Sequence, residues 1–374
     1  MSAPADIVAL RDRLKAWLFE DALPLWAGVG TDSVRGGFFE KLDADGRPVA
    51  AARRVRVVAR QVFVFARAGA MGWTGPWRER LEHGLEALAR YERADGLYAN
   101  ALTDTGAPFD DSVQPYEQAF ALLALSGAQQ ALGGFEARAL RTQSALEARL
   151  GRADGGVHDD ATRGAPLRAN PLMHLFEAAL AWREAGDASE WASLSDRIAR
   201  LAAGQLIQPL TGALPELFDE AWRPDPDAEV EPGHQFEWGF LLLRHADMAG
   251  DAESLDHGRA LIRLAERTGV DGRRGVAIAT LGQDLLPLDS TARLWPQTER
   301  TRAGALLASH DPEAGWPIAR AGAASLLAYA GAAPLAGLWR EHMEPDGAWR
   351  HEPAPASSLY HLIGAIEALN DACL

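Results

Sequence analysis

PGHQFEWGFLLLRHADMAG, residues 232–250, is apolar almost all the way round when wound as a helix. A helix without a polar face has to be buried on most sides. The polar side chains near its start, His234 and Glu237, are three apart and share one face. Pro232 suits a first helical turn, so this polar face belongs to the N-terminal end. Five further segments read the same way: ARQVFVFARAGAMGW (59–73), PYEQAFALLALSGAQQAL (115–132), NPLMHLFEAALAW (170–182), DSTARLWPQTERTRAGALLA (289–308) and SSLYHLIGAIEALN (357–370). Between them lie one-sided stretches such as PWRERLEHGLEALARYERA (76–94) and SEWASLSDRIARLAAGQL (189–206). Their apolar residues recur at i, i+3, i+4 and i+7, the pattern of an outer helix.

A glycine followed by a short extended segment punctuates these pairs at Gly37, Gly96, Gly156, Gly212, Gly275 and Gly347. Open solenoids of the common kinds repeat every ~34 to 47 residues. Here the period is about sixty, and the surplus sits in the glycine-marked excursions. The chain therefore reads as all-α, with six helical hairpins closed into an (α/α)6 barrel. The expectation is a single catalytic domain over residues 1–374, with short β-like excursions at one end. An open stack of the same hairpins is the alternative. Asp289, Ser290 or Thr291 is the expected N-cap of the fifth buried helix, and Ser357 or Ser358 of the last.

Composition narrows the function. The chain has 374 residues, 48% hydrophobic and 24% charged, which is ordinary globular usage and excludes disordered or collagenous readings. The net charge of −15 repels phosphate backbones and argues against a nucleic-acid partner. No run approaches the ~18 apolar residues of a membrane span. Cys373 is the one cysteine, so no intrachain disulfide or cysteine-built metal centre is expected. The first twenty residues lack the basic start and apolar run of a secretory signal. A cytoplasmic protein, monomeric or homodimeric, is the expectation.

The polar stripes of the buried helices carry the chemistry. Arg60, Tyr116, His174, His234, Trp295 and His361 stand about sixty residues apart, each near the start of its helix. Beside them lie Gln118, Asn170, Glu177, Glu237, Trp238 and Glu299. In a closed ring the six would converge at one mouth; in an open stack they would be strung along a line. Burying Arg60, Glu177, Glu237 and Glu299 without partners would cost several kcal/mol each, so a polar, aromatic-rimmed cavity accounts for them better than packing does. Tryptophan and tyrosine faces suit sugar rings, and histidine moves protons at neutral pH. Two rivals are open to the same residues. His-x-x-Glu pairs resemble di-metal sites with the order reversed. Glu216, Glu237 and Glu299 offer the two carboxylates of a glycoside hydrolase, which would leave three histidines unexplained. A non-enzymatic scaffold is a third reading and predicts no shared cavity.

ARQVFVFA, YEQAFALLAL, NPLMHLFEA, VEPGHQFEW, LWPQTER and SSLYHL, in this order across residues 59 to 362, resemble the N-acylglucosamine 2-epimerase superfamily, which includes cellobiose 2-epimerases and mannose isomerases. The resemblance implies an (α/α)6 barrel and a small sugar as substrate. It places His361 and His234 as the acid/base pair, working through a cis-enediol, with Arg60 and Glu237 in the catalytic group. It implies that His174, Asn170, Glu177, Tyr116, Gln118, Trp295, Glu299 and Trp238 bind the sugar, and that no metal or redox cofactor takes part. The SSLYHL ending, with no arginine soon after His361, is similar to the mannose-isomerase branch. That branch implies D-mannose to D-fructose interconversion. A 2-epimerase on mannose, glucose or an N-acylated hexosamine, or an isomerase on mannose 6-phosphate, is the alternative.

Overall fold

A computed structural model describes residues 3–164 and 166–374. Its helices are α1 (Ala5–Trp17), α2 (Leu23–Gly28), α3 (Val55–Ala70), α4 (Trp77–Ala89), α5 (Pro115–Leu132), α6 (Glu136–Leu150), α7 (Ala169–Ala185), α8 (Ser189–Leu201), α9 (Pro232–Ala249), α10 (Ala252–Thr268), α11 (Leu294–His310), α12 (Pro312–Gly331) and α13 (Ser358–Ala372). The strands between them are two or three residues long. The chain groups into two compact units. The first takes the N-terminal segment through Ala22, Ala202–Ala354 and His361–Leu374; the second takes Leu23–Leu201 and Pro355–Tyr360.

In the second unit α3, α5 and α7 lie side by side, backed by α4, α6 and α8. The backing helices bury one stripe only; α4 buries Leu81, Gly84, Ala87 and Leu88. By contrast α7 is buried without interruption from Pro171 to Trp182. The Trp182 indole N–H donates to the Leu122 carbonyl at 2.8 Å and its ring stacks on Trp191 of α8 at 5.0 Å, which pins α7 to both neighbours. In the first unit α9 and α11 are adjacent, backed by α10 and α12, and α1 packs on α12. Phe236, Leu243, Ile262, Leu307 and Ile318 form the core there. Among the described residues no helix is long and apolar enough to cross a membrane.

The glycine-marked excursions are tight hairpin turns of one design. Each closes with a pair of backbone bonds, such as Arg93 N–H to Leu97 C=O and Gly96 N–H to Arg93 C=O. Gly96, Gly212, Gly275 and Gly347 hold the positive φ the turn demands, and in the third excursion the role falls to Gly155 rather than Gly156. In three of them a glutamine on the following buried helix clamps the excursion. Gln118 accepts from Tyr98 N–H at 2.8 Å and donates to its carbonyl at 2.9 Å. Gln235 does the same to Leu214 and Gln297 to Ala277.

One boundary differs from the sequence reading. The fifth buried helix starts at Leu294 with Arg293 as an uncapped, extended N-cap, not at Asp289, Ser290 or Thr291. Antiparallel pairing of Ala292–Arg293 with His342–Met343 keeps the backbone extended to the helix start. The Asp289 carboxylate instead accepts from Thr291 N–H at 2.8 Å, closing a turn.

Candidate active site

In the first unit two imidazoles flank one indole. The ring centroids of His234 and Trp295 are 4.8 Å apart, and those of Trp295 and His361 are 6.0 Å apart. His234 comes from the first turn of α9, Trp295 from that of α11 and His361 from that of α13. All three are buried, with only 5%, 9% and 7% of their surface exposed. Gly233 permits the approach, because a Cβ there would stand 2.5 Å from the Trp295 ring.

Each imidazole has its own carboxylate. His361 Nδ1–H donates to Glu299 Oε1 at 2.8 Å, and Glu299 Oε2 pairs with Arg302 Nε at 2.6 Å. A carboxylate only accepts, so this bond assigns Nε2 of His361 as the atom that exchanges protons with a ligand. Arg302 also faces Glu237 at 3.8 Å and lies over the Phe240 ring at 4.2 Å. His234 Nδ1–H donates to Glu216 Oε1 at 2.8 Å, with Glu231 Oε2 at 3.7 Å. Burial alone would depress the His234 pKa, but the carboxylates of Glu216, Glu231 and Glu237 outweigh it and push the value up to about 10. Burial pushes the Glu231 carboxyl up, against the attraction of His234 and with the help of Glu216. Donor atoms of Glu216, Glu231 and His234 lie within 4.8 Å of one another, a spacing a divalent cation tolerates. As it stands, the cluster is an ion-pair network around the His234 ring.

The second unit carries its own polar group. His174 Nδ1 and Glu177 Oε2 are 3.3 Å apart on α7, and the Tyr360 hydroxyl donates to the same carboxylate oxygen. The His174 ring packs against Phe120 at 4.5 Å and against Tyr116 at 5.1 Å. Arg60 Nη2–H donates to the Tyr116 hydroxyl at 2.9 Å and Nη1–H to the Ser357 carbonyl at 3.4 Å; its guanidinium lies 4.1 Å from the Phe120 ring centre. Arg56 pairs with buried Glu117 at 2.6 Å. Desolvation raises the Glu117 pKa against the pull of Arg56 and Arg60. Asn170 is half-buried at the start of α7.

Gln118, Trp238 and Glu299, read as sugar-binding from the sequence, stand in the following places. Gln118 is fully buried with both ends of its amide on the Tyr98 backbone, because the excursion ahead of α5 needs a clamp. Trp238 is fully buried within α9, one turn after His234 on the same side of the helix. Glu299 orients His361. In the other direction, Glu216 enters as the partner of His234 rather than as a hydrolase carboxylate. Glu231 and Arg302 join the site through i, i+3 spacings to His234 and Glu299.

Residues 37–365 match the N-acylglucosamine 2-epimerase (GlcNAc 2-epimerase) family. The chain is 42% identical to a mannose-6-phosphate isomerase of Rhizobium meliloti (strain 1021) over 383 residues, covering 99% of this chain and 98% of that protein. It is 30% identical to a D-mannose isomerase of Thermobifida fusca over 328 residues, covering 78% of each. A crystal structure of a D-mannose isomerase superposes with a TM-score of 0.86 at 22% identity, covering 99% of this chain and 100% of that one. The fold is that of the (α/α)6-barrel enzymes.

Proposed function

Because the chain belongs to the N-acylglucosamine 2-epimerase family and is a sugar isomerase of that family, we propose that it interconverts D-mannose and D-fructose, with residues 1–374 as its catalytic domain and no metal or redox cofactor. The observation that carries this reading is the pair of buried imidazoles on either side of Trp295, each oriented by its own carboxylate. An aldose–ketose isomerisation needs one group to take a proton from carbon and another to serve oxygen.

The steps follow from that pair. His234 passes a proton to the ring oxygen as the C1–O5 bond opens, and regains one from O1. His361 Nε2 then removes the C2 proton; the electron pair forms the C1=C2 bond, and the carbonyl oxygen O1 takes a proton from His234. The product is a cis-enediol. O2 returns its proton to His234 as the C2 carbonyl forms, and C1 takes the proton held by His361. Trp295 supplies an apolar face for the sugar. Arg60, oriented by Tyr116, is proposed to bind substrate oxygen and to stabilise developing negative charge. His174, Asn170, Glu177, Tyr116 and Glu237 are proposed as substrate-binding or catalytic partners.

Charge supports an unphosphorylated sugar. His234 faces three carboxylates, and a phosphate dianion brought there would meet repulsion. Arg54 and Arg56 are each paired, with Glu40 and Glu117. The name of the Rhizobium relative favours a second reading, isomerisation of mannose 6-phosphate. Ketose formation from D-mannose and from D-mannose 6-phosphate, measured side by side, separates them. The proposal expects kcat/KM for D-mannose to be higher by about a hundredfold, ~2.7 kcal/mol of discrimination. The reverse preference would install the phosphosugar; activity on neither, with cleavage of a glycoside, would overturn an isomerase.

A further inference from the structure

The two imidazoles beside Trp295 are held by carboxylates of opposite standing. On the His361 side, Glu299 is shared with Arg302, so the orienting carboxylate has its charge balanced by a guanidinium at 2.6 Å. On the His234 side, Glu216 is 2.8 Å from Nδ1 and Glu231 3.7 Å from it. The charged groups facing His234 are Glu231 and Glu237 from its own helix and Glu216 from the preceding excursion; Glu229 and Arg293 act on Glu231, and Arg302 faces Glu237. A buried imidazole among carboxylates is stable as the cation, whereas one beside a balanced carboxylate gains less from protonation.

Glu216 is built into this place. Its backbone N–H donates to the Glu229 carbonyl at 3.0 Å, and the next residues, Leu217–Phe218, form a short strand. Glu231 is the extended N-cap of α9 and makes no side-chain cap bond to the helix; its carboxylate faces His234 instead.

We propose that Glu216 and Glu231 are positioning residues for the isomerisation: they fix His234 as the proton donor of the pair, while the Glu299–Arg302 pair orients His361 as the acceptor. This rests on the assignment of His234 and His361 in the proposed function. It accounts for two chemically identical side chains taking different roles at one pH. It is also consistent with the His234 pKa being pushed up to about 10, since an imidazolium is the species present throughout the neutral range.

The test is the pH profile of kcat/KM for D-mannose in wild type, Glu216→Gln, Glu231→Gln and Glu216→Asp, with circular dichroism to establish folding. Glu216→Gln should move the alkaline limb toward acid by about one pH unit or more, and its activity relative to wild type should recover as pH is lowered to about 6. Glu231→Gln should move the limb the same way by less, and Glu216→Asp should restore much of the wild-type profile. A Glu216→Gln profile with the wild-type shape, whatever its amplitude, overturns the proposal. A measurement on the unaltered enzyme stands beside the variants, so a poorly folding Glu216→Gln does not decide the matter. In 13C-histidine NMR, with His234 identified by loss of its signal in His234→Gln, the ring should remain imidazolium to beyond about pH 8.5; titration near 6.5 overturns the proposal. If His234→Gln itself isomerises D-mannose at the wild-type rate, the underlying functional reading fails, an outcome distinct from either of these.

Discussion

At Gly233 one hydrogen atom separates a working arrangement from a collision. A methyl group there would meet the Trp295 indole at 2.5 Å, so Gly233→Ala should displace the indole from between His234 and His361. About tenfold or more should be lost from kcat/KM, with the helical circular dichroism unchanged. The histidines themselves should be more sensitive. A positioned general acid or base contributes about 10²–10⁴-fold, so His361→Ala and His234→Ala should each lower kcat by that much, measured by fructose formation. Their effects should not add, because both act in one proton-transfer sequence. His83 is a poor control for these variants, since its Nε2 meets the Gly37 carbonyl at 2.9 Å and its ring meets Phe38 edge-on. His257, half-buried on α10 and paired only loosely with Glu253 at 4.0 Å, is the better one, and His257→Ala should change kcat little.

The elements are organised by the glutamine clamps as much as by the apolar repeat. Gln118 satisfies both the N–H and the C=O of buried Tyr98, so Gln118→Leu should leave two buried backbone groups unmatched. At about 1–3 kcal/mol for each such group, the variant should lose about 2–6 kcal/mol in urea unfolding. A loss below 1 kcal/mol would show that the clamp is dispensable. These clamps also mark how far the sequence could be read. The helices were legible because burial on all sides demands apolar residues on all sides, as from Pro171 to Trp182. The site helices were legible because His174, His234 and His361 stood out against that background at a steady interval. Gln118 was visible too, but a residue two along from Tyr116 points about 200° away round the helix, toward the excursion. Glu216 was placed by a turn rather than a helix, so no helical spacing linked it to His234.

For the molecule as a whole, the proton on His234 ties activity to stability. Its pKa is raised from 6.5 to about 10 in the native state, so the folded chain keeps a proton that the unfolded chain has released. That contribution is full below about pH 6.5 and is lost as pH rises toward about 10. The stability difference between wild type and His234→Gln should therefore shrink between those two pH values in denaturant titrations; a constant or growing difference would contradict the ion-pair cluster. Metal dependence is a second property of the whole enzyme. Proton transfer between paired imidazoles needs no Lewis acid, so exhaustive chelation should leave kcat unchanged. Recovery of activity only on adding a divalent cation would instead make the Glu216, Glu231 and His234 cluster a metal site. The central claim, an enediol isomerase of free mannose, is met most directly by NMR of D-mannose incubated with the enzyme in deuterium oxide. The account predicts D-fructose, carrying deuterium at C1 to the extent that His361 exchanges its proton with solvent before returning it; deuterated glucose without fructose, or no ketose at all, would contradict it.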